Sequence, residues 1–288
     1  MINQQPERKP AWLKVRPFTG ERYNDLHKKL RGLALRTVCE EANCPNRGEC
    51  FNSGTATFLL MGSKCTRNCK FCDIDTGRPA PLDIDEPQKI AELSAHLGLD
   101  HVVVTSVCRD DLPDEGAEHF AQTIKAIKEL LPTATVEVLV PDFHGRQNLL
   151  ETVLQAEPTV FNHNVETVPR LYSTVRSAAK YQRSLDVLSF ARENYPNIMT
   201  KSGIMLGLGE TEEELHSLFE DIAQIGVEVL TIGQYLAPSK QHHPVIKYYS
   251  PEEFDRIGDE ARALGIKTVV AGPLVRSSYK AADVLRKN

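Results

Sequence analysis

No stretch of this chain is apolar for long enough to cross a bilayer. The longest hydrophobic runs, such as HVVVTSV, are strand-length, which excludes a transmembrane helix. The opening MINQQPERKPAWLKVRP lacks the apolar core of a secretory leader. No basic block or basic–aromatic stripe offers a nucleic-acid surface, and there is no internal repeat or low-complexity segment. With 34 basic against 39 acidic residues, the net charge of −5 is mild. The chain therefore reads as soluble and cytoplasmic, with neither nucleic acid nor membrane as partner. Cysteine is missing from most of its 288 residues: six of the seven lie between Cys39 and Cys72, and Cys108 stands apart. A secreted disulfide scaffold would be short and evenly studded. One dense cluster in a long chain favours metal binding in a reducing compartment instead.

With 41% hydrophobic residues the chain can bury a sizeable core. After residue 55, short β-branched runs recur at Thr57–Met61, His101–Thr105, Val136–Val140, Thr159–Phe161, Met199–Leu206, Val227–Ile232 and Lys267–Ala271. Amphipathic segments separate them. Pro87–Leu97 carries Ile90, Leu93 and Leu97 on one face. TEEEL opens a helix with Thr211 as cap and Glu214 closing the capping box. SPEEF opens another, with Ser250 as cap, Glu253 closing the box and Gly265 as terminator. Such alternation means a parallel sheet covered by helices. Six or seven units suit a TIM-like barrel, complete or partial, while periodicity alone leaves a doubly wound sheet possible. Residues 1–55, rich in charge and poor in strand signals, read as an extension packed on the barrel.

The cysteines form two triplets. CEEANCPNRGEC supplies Cys39, Cys44 and Cys50 as C-x4-C-x5-C, and KCTRNCKFCD supplies Cys65, Cys69 and Cys72 as C-x3-C-x2-C. The second directly follows the strand TFLLMG. In a parallel α/β fold the loops leaving the C-terminal ends of strands carry the chemistry. Three thiolates on a four-iron cubane leave one iron open, the mark of a reactive site rather than a sealed one. A Cys3His zinc loop is the alternative, but His96 and His101 lie too far along the chain to complete it.

C-x3-C-x2-C with aromatic Phe71 before the last cysteine resembles the radical S-adenosylmethionine (SAM) enzymes. Both triplets, with KPAWLKVR, TSVCRDDLPDEGA, FNHNVETVPRLY, SGIMLGLGET, GQYLAPS and a C-terminal GPLVRSSY, resemble the lipoyl synthase family over nearly the whole chain. The resemblance implies an α/β fold, a partial (βα)6-type TIM barrel of the radical SAM class over residues 56–272. An N-terminal extension (1–55) would carry the first triplet and a C-terminal one (273–288) the RSSY tetrad. It implies a radical sulfurtransferase that inserts two sulfur atoms, at C6 and C8, into an octanoyl chain amide-linked to a carrier lysine. Carriers would be the lipoyl domains of 2-oxoacid dehydrogenase E2 components and the glycine-cleavage H protein. An electron donor such as ferredoxin or flavodoxin would serve the chain, which would act as a monomer.

By the same resemblance the cofactors are SAM and two [4Fe–4S] clusters. Cys65, Cys69 and Cys72 would hold the SAM-cleaving cluster. Cys39, Cys44 and Cys50 would hold an auxiliary cluster consumed as sulfur donor, its fourth iron bound by Ser278 or, failing that, Ser277. A serine alkoxide is a harder ligand than a thiolate and marks one iron as labile, as suits a cluster meant to be dismantled. Arg276 beside it is a candidate site residue. NHNVET ends a strand where SAM should lie, so Asn162, Asn164 and Glu166 are candidate partners for its amino, carboxylate or ribose groups. Arg176, Arg183 and Lys201 are candidates for its carboxylate. Gly207 and Gly209 permit close backbone approach, and Glu210 reads as preceding a helix cap. Cys108 reads as a partly buried free thiol rather than a ligand, and His242-His243 as surface residues. Two rivals remain at this stage: another radical SAM sulfur inserter, and a non-catalytic iron–sulfur carrier, which would need neither an open iron nor a barrel.

Overall fold

The β-branched runs form seven parallel strands in a computed structural model that describes residues 8–15, 20–52, 56–278 and 281–282. They are β1 (Thr57–Leu60), β4 (His101–Ser106), β5 (Thr135–Leu139), β6 (Val160–Asn162), β7 (Met199–Leu206), β8 (Val229–Gln234) and β9 (Thr268–Gly272). Two two-residue strands, β2 (Lys64–Cys65) and β3 (Asp75–Thr76), pair apart from them. Each strand of the large sheet lies beside its predecessor, in the order β1-β4-β5-β6-β7-β8-β9. A doubly wound sheet would reverse direction at a switch point. This winding never reverses, so the barrel reading holds over the doubly wound one. Among the described residues β1 and β9 are not paired, and the barrel is open between them.

The crossovers are α4 (Glu86–His96), α5 (Ala117–Leu130), α6 (Gln147–Leu154), α7 (Tyr172–Val175) with α8 (Tyr181–Asn194), α9 (Glu212–Gln224) and α10 (Pro251–Ala263). Both capping boxes form, at Thr211–Glu214 and Ser250–Glu253. Strand side chains alternate in direction. Val102, Val104, Val136, Val138 and Phe161 face outward and pack with Ile90, Phe120, Ile124 and Ile127 of the helices. Ile204, Leu206, Leu230 and Ile232 do the same against Leu218, Phe219 and Phe254. Each such side chain, fully buried, contributes roughly 1.5–3 kcal/mol. The opposite face of β5, β6 and β7 points inward with Glu137, Asn162 and Lys201.

Before the barrel come α1 (Glu21–Gly32), α2 (Val38–Glu41) and α3 (Arg47–Asn52). Leu26, Leu30, Leu35 and Phe51 from this segment join Phe58 and Leu60 in one apolar cluster. The chain also covers the free edge of β1, where the Leu59 amide donates to the Arg36 carbonyl at 2.9 Å. An unpaired parallel edge invites association, and this contact closes it. No helix among the described residues is long and apolar enough to cross a membrane.

His163, at the end of β6, gives the fold a pH limit. Its Nδ1–H donates to the Val140 carbonyl at 2.9 Å, and Nε2 accepts from the Ser184 hydroxyl at 3.0 Å. Burial, with Arg176 nearby, pulls its pKa down to about 4. The unfolded chain therefore binds one more proton than the folded one between pH ~4 and ~6.5. Stability is complete above that window and falls through it, by about 3 kcal/mol in all. Urea denaturation is expected to show a lower midpoint at pH 5 than at pH 7, and the difference should shrink in His163→Asn. Equal midpoints in the unsubstituted chain would refute the assignment.

Candidate functional site

After β1 the backbone turns through Met61 (φ +67°) and Gly62 (φ +96°) into β2, which ends on Cys65. The Cys65 sulfur accepts from the amides of Arg67 (3.4 Å) and Cys108 (3.3 Å). The Cys108 thiol bears on the same sulfur and, outweighing burial, brings the Cys65 pKa down to about 6. Iron binds thiolate, not thiol, so this environment readies Cys65 as a ligand. Burial dominates the other two: it raises Cys69, with Arg176 opposing, and pushes Cys72 up to about 12. None of the seven cysteines is in a disulfide.

The loop bearing the triplet is held from several sides. Arg67, buried between the cysteines, forks onto Asp110 at 2.7 Å and reaches Asp142 at 2.7 Å. The Lys70 amide donates to the Val175 carbonyl at 2.8 Å, and the His243 amide to the Lys70 carbonyl at 2.8 Å. His242 Nε2 donates to the Cys72 carbonyl at 3.1 Å, while its Nδ1 lies 2.9 Å from the Ser239 hydroxyl. The surface reading of His242-His243 is therefore corrected: the pair is half-buried and bonds the cysteine loop. Sequence reasoning missed Arg67 as well. Its signal was there, an arginine between ligand cysteines and a later CRDDLP to receive it.

The structure divides the expected SAM contacts into two groups. Asn164, Glu166 and Arg176 lie together beside the triplet. Asn164 Nδ2 donates to Glu166 at 3.1 Å, and Arg176 donates to the Asn164 carbonyl at 2.8 Å. Arg176 and Glu166 both act electrostatically on Cys69. Glu166 holds a left-handed backbone (φ +71°), and burial raises its carboxyl. A non-glycine residue there costs of order 1–3 kcal/mol, a strain that clusters at functional sites. Phe71 is half-buried against the β7–β8 side of the core.

Asn162 and Lys201 belong elsewhere. Lys201, 1% exposed, donates to both oxygens of Glu137, at 2.8 and 3.0 Å. Asn162 Nδ2 donates to the same carboxylate at 3.1 Å. The expectation that Lys201 pairs with the SAM carboxylate is thereby corrected, because its charge is met inside the barrel by Glu137, a residue the sequence reading passed over. Arg183 is likewise committed, to Asp142 at 3.0 Å. Glu210 does more than precede a cap, since its carboxylate accepts from the amides of Gly207 (2.6 Å) and Leu208 (2.9 Å). Gly207 (φ +103°) must be glycine, as a Cβ would fall 2.5 Å from the Lys247 carbonyl.

The first triplet spans α2 (Cys39), the turn after it (Cys44) and α3 (Cys50). Cys39 is buried, and burial pushes it up to about 12, with Cys44 adding to the effect. The Cys44 amide donates to the Cys39 carbonyl at 3.1 Å, and the Cys50 amide to the Asn46 carbonyl at 2.9 Å. Asn46 Nδ2 then donates to the carbonyl of Leu274 at 2.6 Å, across 228 residues. Burial holds the Arg276 guanidinium below its ordinary range, and Cys44 opposes that pull. The C-terminal segment thus lies against the first triplet. Ser277 and Ser278 follow in a half-buried turn; Tyr279 of the tetrad lies outside the described residues.

The donor sets fit the groups the sequence implies. Each triplet offers three cysteines outside any disulfide, and the buried oxygens Asn162 Oδ1 and Asn164 Oδ1 have no partner. An orphaned buried acceptor costs about 1–3 kcal/mol, which a cationic ligand group beside it would recover.

A radical SAM superfamily profile matches residues 59–222, and one for the N-terminal domain of lipoyl synthase matches residues 2–44. The lipoyl synthase of Caldanaerobacter subterraneus subsp. tengcongensis is 57% identical over 274 residues, covering 95% of this chain and 96% of its own. That of Koribacter versatilis is 54% identical, over 97% and 92%. The chain belongs to the lipoyl synthase family. As a radical SAM family, it uses a [4Fe–4S] cluster and SAM. Streptococcus suis SuiB bound to S-adenosylmethionine superposes at a TM-score of 0.59 with 10% identity, over 86% of this chain and 54% of that one. Methylornithine synthase (PylB) does so at 0.54 and 14%, over 89% and 84%. These likenesses are of fold, and they agree with the partial barrel.

Proposed function

We propose that this chain inserts two sulfur atoms, at C6 and C8, into an octanoyl chain carried on a lysine of a lipoyl carrier protein. The carriers are the lipoyl domains of 2-oxoacid dehydrogenase E2 components or the glycine-cleavage H protein. A one-electron donor such as ferredoxin or flavodoxin serves a single chain, in the cytoplasm. The observation that carries the reading is the contact between Asn46 and Leu274, which brings the C-terminal segment to the first triplet. A protein needing only a SAM-cleaving site has no use for that junction.

Cys65, Cys69 and Cys72 would hold one [4Fe–4S] cluster. Cys39, Cys44 and Cys50 would hold a second, its remaining iron taken by Ser278 or Ser277. When bound, the first supplies the electron that cleaves SAM, and the second supplies sulfide. The protein's own part is to bind, orient and keep water out. Asn164 presents an unpartnered Oδ1 to a SAM ammonium, and Arg176 places positive charge beside Cys69. Glu166, beside Asn164, can accept a hydrogen bond from a ribose hydroxyl. The acyl chain must be kept from solvent, because a carbon-centred radical reacts with any nearby donor.

Anaerobic incubation with an octanoyl-lysyl peptide, SAM and dithionite tests this. The expected product carries two added sulfur atoms and appears with 5′-deoxyadenosine. Release of 5′-deoxyadenosine without any thiolated peptide would refute the assignment.

A further inference from the structure

The crossover from β8 to α10 runs back over the barrel mouth and is bonded to two separate parts of it. One is the second cysteine loop. The His243 amide donates to the Lys70 carbonyl at 2.8 Å and His242 Nε2 to the Cys72 carbonyl at 3.1 Å, so the loop is held on both sides of Phe71. The other is the end of β7. There the His243 ring donates from Nε2 to the Leu208 carbonyl at 2.8 Å, and the Ile246 amide donates to the Gly207 carbonyl at 2.8 Å. The His243 carbonyl in turn accepts from the Tyr235 hydroxyl at 2.7 Å. Amide, carbonyl and ring of this one residue thus reach three different segments.

β7 matters because the candidate SAM contacts ride on it. The Glu166 amide donates to the Gly203 carbonyl at 2.9 Å, and the Met205 amide to the Glu166 carbonyl at 2.8 Å. Asn164 lies so close that a Cβ on Gly203 would fall 2.8 Å from its Oδ1. A SAM molecule held by Asn164 and Glu166 and cleaved by the cluster must reach β7 and the cysteine loop at once. We propose that His243 is a positioning residue that fixes the spacing between these two points and so strengthens SAM binding. The proposal rests on the reading that Cys65, Cys69 and Cys72 hold the SAM-cleaving cluster. A ligand held at two points binds more tightly when their separation is set beforehand, because less ordering is left to the binding step. A further link runs from Lys70 to the Val175 carbonyl and from Arg176 to the Asn164 carbonyl. Losing the His243 ring therefore loosens the loop without detaching it.

The test uses anaerobically reconstituted full-length protein, matched for iron content. SAM affinity is read by equilibrium dialysis without reductant, so turnover plays no part. His243→Ala keeps both backbone bonds and removes the ring donor; it is expected to weaken SAM binding about tenfold, the scale of one lost hydrogen bond. His243→Gln keeps an N–H of similar reach and is expected to stay within about twofold of the unsubstituted protein. Unchanged affinity in His243→Ala overturns the proposal, and so does an equal loss in His243→Gln. Amide hydrogen exchange supplies a readout that needs no SAM. In His243→Ala the Ile246 amide should exchange faster while those of β4 and β5 do not, and acceleration shared by β4 and β5 overturns the positioning role. Should His243→Ala fail to fold or to load iron, Tyr235→Phe decides, since it removes the hydroxyl that holds the same residue. A loss of about threefold is then expected, and no loss overturns the proposal. Equal SAM binding by iron-free and iron-loaded unsubstituted protein would refute the ligand reading itself, and the proposal with it.

Discussion

Lys201→Met is expected to destabilise the chain by about 3–5 kcal/mol, because it strands Glu137 as an uncompensated charge inside the barrel. Both residues are 1% exposed and 2.8 Å apart. Burial alone would raise the Glu137 carboxyl, yet Lys201 and His101 together bring it below its usual range. The neighbouring cation thus favours the carboxylate against burial, and removing Lys201 removes the larger part of that support. Glu137→Gln combined with Lys201→Met should regain most of the loss. The amide still accepts from Asn162 Nδ2, which a leucine at this position would leave without a partner. Urea denaturation of the single and double variants measures this. A loss below about 1 kcal/mol in Lys201→Met would mean that the ammonium is not needed to offset Glu137.

That pair also shows where the sequence stops being readable. The strands and capping boxes were legible because periodicity and caps are local: Thr211 and Glu214 lie three residues apart, and their reciprocal bonds form as expected. The cysteine triplets stood out because each falls within a short stretch of chain, Cys39 to Cys50 and Cys65 to Cys72. Glu137 and Lys201 are separated by 64 residues, and each alone looks like a strand residue facing water. Only the sequential order of β5, β6 and β7 places both inside the barrel. The same holds for Arg67, whose partners Asp110 and Asp142 lie 43 and 75 residues away. His242 was misread for a related reason: a Gln- and Pro-containing loop has a surface composition, but this one folds back onto Cys72, 170 residues earlier. Asn162 and Asn164 are two residues apart on one strand end. Yet they serve different networks, because the first ends β6 and the second lies beyond it.

Separating the two triplets genetically should separate the two halves of the reaction. Cys65→Ala, Cys69→Ala and Cys72→Ala, each alone, are expected to abolish 5′-deoxyadenosine formation, a fall of more than a thousandfold on the scale of losing an essential catalytic group. Cys39→Ala, Cys44→Ala and Cys50→Ala are expected to spare SAM cleavage and abolish thiolated product. Iron should fall from about eight to about four per chain in either set if each triplet holds one four-iron cluster. The physical ground for independence is that the two sites rest on different elements. The first lies on α2, α3 and the turn between them, tied to the C-terminal segment through Asn46. The second lies on the loop after β2, tied to Asp110, Asp142, Val175 and His243. Ser278→Ala should behave as a weaker member of the first set, keeping SAM cleavage and losing product, while Ser277→Ala reports whether its neighbour serves instead. Loss of SAM cleavage in Cys39→Ala at full occupancy of the second cluster would mean that the sites act as one. The division of labour proposed for the triplets would then be wrong.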